Sequence, residues 1–207
     1  MKKFWIAFLC LSAIVLLFSF NKNSMSIEQR KYKLIAKDGR FELRFYPEAI
    51  QATTNLTSSN YNESANQGFR TLAGYIFGGN NENKKIAMTA PVEMSVGTSS
   101  TKMSFTMPSE HKISELPKPN DSKISIHTTP AEYTASVSFG GYASDEKIDK
   151  YKNELFEYLK SKKIKNIGNF RFLGYNSPFR IFGRKNEILV QIEYPNNSEK
   201  NESSHSR

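Results

Sequence analysis

Hydrophobic and polar positions repeat along this chain with two different periods. Phe41, Leu43 and Phe45 alternate with Glu42, Arg44 and Tyr46 as far as Pro47, the period of two that marks a strand with one buried face. After a turn, Ile50 to Thr57 reads as a second, Thr-rich strand, and the pair predicts a hairpin. From Tyr61 to Phe77 the spacing changes. Phe69, Leu72, Ala73 and Ile76 recur at three and four residues, the face of a helix that Gly78 and Gly79 stop. Strands are expected again over Lys85 to Val96 and over Lys102 to Met107, where Met103, Phe105 and Met107 share a face.

A Pro-rich connector, Pro108 to Ser122, separates these elements from a second series. Lys123 to His127 and Glu132 to Phe139 read as another hairpin, with Tyr133, Ala135, Val137 and Phe139 alternating against Thr and Ser. Ser144 is an expected N-cap, Asp145 and Glu146 suit a first helical turn, and Ile148, Tyr151, Leu155 and Leu159 form the stripe. Lys160, Lys162 and Lys163 suit the helix C-terminus, and strands Phe170 to Tyr175 and Glu187 to Glu193 complete the series. Strand, strand, helix, strand, strand thus occurs twice. The fold class expected is α+β, two structural copies joined into one curved sheet or distorted β-barrel with two helices against it and a groove between copies.

The ends of the chain have another character. Phe4 to Phe20 is a run of 17 residues without charge, preceded by Lys2 and Lys3. Its apolar residues occupy every helical face, so it is expected to anchor the chain in a membrane or to serve as a signal segment rather than to join a core. An A-x-A cleavage pattern is missing, which favours an uncleaved anchor over secretion after cleavage. The flanking lysines put the folded part outside the cytoplasm, periplasmic or extracellular. The division expected is an anchor or signal at 1–24, a linker at 25–30, a domain at 31–194 and a disordered polar tail at 195–207.

The net charge of +9 is spread over 29 basic and 20 acidic residues, with no basic helix or aromatic RNA-binding motif, so no nucleic-acid partner is expected. Between Lys160 and Lys185 lie eight basic residues and no acidic one, an asymmetry that favours an anionic partner or a membrane surface. The single cysteine, Cys10, lies in the apolar run. The domain therefore contains neither an internal disulfide nor a cysteine metal site. No catalytic triad, metal-ligand spacing or phosphate-binding glycine loop is apparent, and neither an enzyme nor a metal site is expected. Glu93, the one acid considered for a cleft, reads as the partner of a nearby strand lysine.

Lys85-Ile86-Ala87-Met88-Thr89-Ala90-Pro91-Val92-Glu93-Met94 is the most distinctive segment. Together with Phe41-Glu42-Leu43-Arg44-Phe45-Tyr46, Gly68-Phe69-Arg70, Gly74-Tyr75-Ile76, Met107-Pro108-Ser109-Glu110, Gly140-Gly141-Tyr142-Ala143-Ser144 and Gly174-Tyr175-Asn176-Ser177-Pro178, it resembles the SOUL/haem-binding family. The similarity runs in order over about residues 31–194. It implies a pseudo-twofold α+β barrel, related to bacterial effector-binding domains, and haem or porphyrin binding in a groove between the first helix and the loop joining the last two strands. On that reading Phe69, Leu72, Ala73, Ile76 and Phe77 offer an apolar wall with Arg70 as the helix's cation. Phe179, Arg180, Phe182, Arg184 and Lys185 would supply aromatic faces and charges for propionates. The signature residues Ile86, Ala87, Met88, Thr89, Ala90, Pro91 and Val92 read by themselves as a buried strand with Met88, Ala90 and Val92 on one face.

Iron ligation finds less support. Phe45 stands where some family members carry histidine, and Asn66 and Gly74 fall where others carry basic residues. His111, His127 and His205 are expected on the surface, leaving Met88 and Tyr75 as weak candidates. Shape and propionates, more than iron, would then hold the ligand. Another amphipathic anion, such as a lipid or drug-like effector, or a scaffold role without ligand, stays open at this point, as does the oligomeric state.

Overall fold

The computed structural model describes residues 27–56, 61–96, 101–176 and 180–194. The apolar run, the polar tail with His205, and Phe179 lie outside the described residues. The elements in chain order are β1 (Glu28–Gln29), β2 (Lys33–Asp38), β3 (Phe41–Tyr46), β4 (Ala49–Leu56), α1 (Tyr61–Ile76), β5 (Thr89–Ala90), β6 (Val92–Val96), β7 (Thr101–Thr106), β8 (Ile124–Thr129), β9 (Glu132–Gly140), α2 (Asp145–Ser161), β10 (Asn166–Gly174) and β11 (Lys185–Ile192). Among the described residues no helix is long and apolar enough to cross a membrane.

Nine strands form one antiparallel sheet in the order β2-β3-β9-β11-β10-β6-β7-β4-β8. Setting β2 aside, that order is a palindrome of the two copies: β3, β4, β6 and β7 of the first take the places of β8, β9, β10 and β11 of the second. The copies meet at β6 and β10, where Phe172 faces Met94 and Leu173 faces Glu93. β2 and β8 remain edges, so the barrel stays open.

Neither expected hairpin forms. β3 pairs with β9 and β2, and β4 pairs with β7 and β8. The first strand of each copy has crossed into the other copy. The reason lies in the connectors, Pro47-Glu48 and Pro130-Ala131. A two-residue hairpin turn calls for positive φ at its first central residue, and proline is locked at negative φ. A two-residue hairpin does form between β2 and β3, through Gly39-Arg40: Asp38 pairs with Phe41, and Gly39, at φ of +59°, takes the first central position, which such turns give to glycine.

The signature segment is also not one strand. It is interrupted at a cis Ala90–Pro91 bond: Ile86 to Met88 are irregular, β5 pairs parallel with β1, and only β6 joins the main sheet.

The two helices cover one face of the sheet. Ser144 caps α2 by accepting from the Lys147 backbone N–H, and Ile148, Leu155 and Leu159 are buried, as their spacing predicts. The core joins these to Leu72, Tyr75 and Ile76 of α1 and to Met94, Phe105, Val137, Phe172 and Ile188 of the sheet. α1 comes down closely because residue 68 is glycine. A Cβ there would lie 2.7 Å from Leu56 Cδ2 and 3.0 Å from Met103 Sδ.

Candidate functional site

α1 divides its side chains between two tasks. Leu72, Ala73 and Ile76, expected to face the groove, are buried in the core. The greasiest stripe of an amphipathic helix is the one the core claims first. The neighbouring face, Ala65, Asn66 and Phe69, with Phe77 just past the helix end, borders a cavity of about 290 Å³. Arg70 is exposed and does not line it.

The cavity floor is sheet. Met88, Thr89, Ala90 and Val92 of the signature segment line it, with Met94, Met103 and Phe172. Phe69 rests its ring against Phe105 at 5.5 Å. Methionine is flexible and polarizable, so three in one wall can adapt to a flat ligand. The far wall is the end of the β10–β11 hairpin: Gly174, Tyr175, Asn176, Arg184 and Asn186. None of the described lining residues is acidic, and Arg184 is the one cation among them.

Arg184 is held in place. Its Nη1 donates to the Arg180 carbonyl at 2.8 Å, and its guanidinium lies 4.5 Å from the centre of the Tyr142 ring. Arg180 directs its Nε to the Phe182 carbonyl and is not in the wall. Phe182 and Lys185, also expected at the site, stand outside the cavity. Phe182 is exposed, and Lys185 lies over the Tyr175 ring and pairs with Glu187.

The opposite face of the sheet is polar, yet buried. Arg44 and Glu187 form a doubly bonded pair at 2.7 and 2.8 Å and are almost wholly inaccessible. Tyr46 and Glu42 accept from the same guanidinium, and Ser138 and Tyr175 donate to Glu187. Arg171 joins Glu132 across β11 at 2.8 Å, and Arg30 lies 3.7 Å from both Glu93 and Glu132. Glu93 therefore belongs to this seam and not to the cleft, in contrast with the surface pair expected. Burial alone would raise the Glu187 pKa, but the bonds and charge of Arg44, with help from Tyr175 and Lys185, bring it down to about 2. Burial pushes the Tyr175 hydroxyl well above its usual range, and nearby Glu187 adds to this. Tyr175 thus links the charged seam to the cavity wall.

This chain matches the family described as SOUL heme-binding protein over residues 27–191, which contain the whole cavity wall. The chain belongs to that family. It is 34% identical over 167 residues to heme-binding protein 2 of Mus musculus, covering 76% of this chain and 80% of the relative. It is 27% identical over 185 residues to heme-binding protein 1 of Xenopus laevis, covering 83% and 97%. Among solved structures, the EcmrR C-terminal domain superposes with a TM-score of 0.59 at 11% identity, covering 79% of this chain and 99% of that one. That likeness shows the fold alone, an α+β fold as the element order predicted.

Within the SOUL frame the segment that marks the family is also the floor of the cavity. A tetrapyrrole fits the chemistry of these residues: a mostly apolar lining for the macrocycle and an arginine, Arg184, that could pair with a carboxylate. A cavity of about 290 Å³ lies at the lower end for small-molecule sites.

Axial ligands are scarce. His127 is exposed on β8. His111, expected on the surface, is instead largely buried beside a second cavity of about 450 Å³, whose wall includes Glu28, Arg30, Glu48 and Lys112. Neither histidine lines the apolar cavity. Tyr75 also falls away as a candidate, since its buried hydroxyl donates to the Pro117 carbonyl, and burial, then Glu82, raises its pKa to about 12. Met88 does line the cavity.

Proposed function

We propose that this protein binds haem or a related tetrapyrrole in the cavity beside α1, and that residues 4–20 hold it at a membrane with the domain outside the cytoplasm. The observation that carries the ligand reading is that Met88, Thr89, Ala90 and Val92 form the floor of an acid-free apolar cavity with Arg184 in its wall. The macrocycle lies against the methionines, Phe69 and Phe172, and Arg184 pairs with a propionate. A bound haem would supply a redox-active iron, and Met88 is the residue of the cavity wall that could offer it a soft thioether donor. Binding without catalysis is the activity proposed. The uncharged run Phe4 to Phe20 behind Lys2 and Lys3 supports the tether and the orientation.

The test is titration of the full chain in lipid nanodiscs with hemin and with metal-free protoporphyrin. Both should bind, with affinities of the same order. Asn66→Trp, which puts a large ring into the cavity from an exposed helix position, should weaken both at least tenfold, ~1.4 kcal/mol or more. Unchanged binding in that variant would move the site elsewhere. Displacement of porphyrin by oleate at similar concentration would reassign the cavity to amphipathic anions in general. Protease added to intact cells should digest the domain, and protection alongside a cytoplasmic marker would reverse the orientation.

A further inference from the structure

The rim of this cavity carries apolar side chains that the core does not use. Ile181 and Phe182 are 66% and 83% exposed, at the tip of a turn in which Gly183 has φ of +62°. Phe77 is 63% exposed and lines the same cavity, as does Ile27. Interleaved with the tip are Arg180, Arg184 and Lys185, with no acidic residue from 180 to 185. The two arginines hold the tip outward, Arg180 through the Phe182 carbonyl and Arg184 through the Arg180 carbonyl. Aromatic and aliphatic tips flanked by basic side chains match the composition of the membrane interface.

Ile27 adds a second, independent observation. It is the first described residue, and it lies in the cavity wall. Only six residues separate it from Phe20, the end of the apolar run, a reach of at most roughly 25 Å when fully extended. A tether at residues 4–20 would therefore begin within that reach of the cavity wall.

We infer that the cavity mouth docks on the bilayer: Ile181, Phe182 and Phe77 enter the interface, Arg180, Arg184 and Lys185 meet anionic headgroups, and an apolar ligand passes between cavity and lipid without crossing water. This rests on the membrane tether proposed above. It adds the orientation of the site relative to that membrane and a second point of contact.

The chain carries its own reporter for the tether, since its only tryptophan is Trp5, inside the apolar run. In nanodiscs of phosphatidylcholine and phosphatidylglycerol with brominated acyl chains, quenching of Trp5 reads out anchoring. In the Trp5→Phe background, Phe182→Trp reads out docking, and His127→Trp, on exposed β8, serves as the water-exposed control. The Phe182→Trp emission should shift to the blue and lose about half its intensity to brominated lipid. The shift should shrink when phosphatidylglycerol is omitted or when Arg180 and Arg184 are changed to Gln. The control should stay unquenched.

If Trp5 is quenched and the Phe182→Trp probe behaves like the control, docking is overturned and the tether stands. A blue shift without lipid quenching means that protein, either residues 4–20 or a second copy, covers the rim, which also overturns docking. If neither tryptophan is quenched, tether and docking fail together. Quenching at position 182 without quenching of Trp5 keeps docking and removes the tether.

Discussion

Replacing Arg44 by Met should destabilise the domain more than almost any other single polar substitution. Arg44 is 1% exposed and makes four hydrogen bonds to Glu42, Tyr46 and Glu187, two of them to Glu187. Removing one partner of a buried ion pair costs about 3–5 kcal/mol, mostly because the remaining charge is left without compensation. Glu187 would keep Tyr175, Ser138 and the half-exposed Lys185, which points to the lower end, about 3 kcal/mol. For a domain of this size, that lowers Tm by roughly 6–12 °C, measured as loss of near-ultraviolet circular dichroism at neutral pH. A companion Glu187→Gln substitution should recover part of the loss, because it removes the stranded charge. The acid limb supplies the sign. Glu187 is held at about 2, below the ordinary glutamate value of 4.5, so its stabilisation is fully present above pH 4.5 and is lost as the pH falls toward 2. In Arg44→Met the carboxyl loses its main stabiliser, and acid unfolding should no longer draw on that window. A drop of less than about 1 kcal/mol, or an unchanged acid limb, would refute the reading of this pair as the centre of the sheet's polar face.

Arg184→Gln should weaken porphyrin binding about tenfold or more, whereas Arg180→Gln alone should have a smaller effect, because only Arg184 lines the cavity. Porphyrin dimethyl ester, which lacks the carboxylates, should bind wild type and Arg184→Gln alike. Changing His111 and His127 together to Ala should leave hemin affinity within about threefold, under ~1 kcal/mol, and a tenfold loss confined to hemin would mean that one of them reaches the iron. Gly68→Val should cost about 1–3 kcal/mol in a thermal melt, since even the added Cβ meets Leu56 and Met103 at less than contact distance.

How much of this was legible beforehand varies with the physics behind each element. α2 was readable residue by residue, because its N-cap, first-turn acids and buried stripe are local signals. The strand partners were not. Alternation tells which face of β3 or β4 is apolar and says nothing of which strand lies alongside; the prolines in the two connectors, Pro47 and Pro130, are the local signal that the hairpin reading passed over. The site was legible as a region but not in detail. Of the expected wall Phe69, Leu72, Ala73, Ile76 and Phe77, the core takes Leu72, Ala73 and Ile76 while Phe69 and Phe77 do line the cavity, joined by the polar Asn66, which hydrophobicity could not mark. The charged seam escaped for the opposite reason. Arg44 and Glu187 read as the wet face of their strands, and only the assembled sheet buries that face.

The exchanged strands carry a consequence for how such a molecule arises and folds. Each copy lends its first strand to the other, β3 to β9 and β8 to β4, so neither copy possesses a complete four-stranded sheet of its own. A polypeptide holding one copy would complete itself by pairing with an identical chain about the dyad now lying between β6 and β10. The present chain is in effect that swapped dimer written as one gene product, with the Pro108 to Ser122 connector as the fusion joint. Cutting that connector should release two fragments that fold only in each other's company.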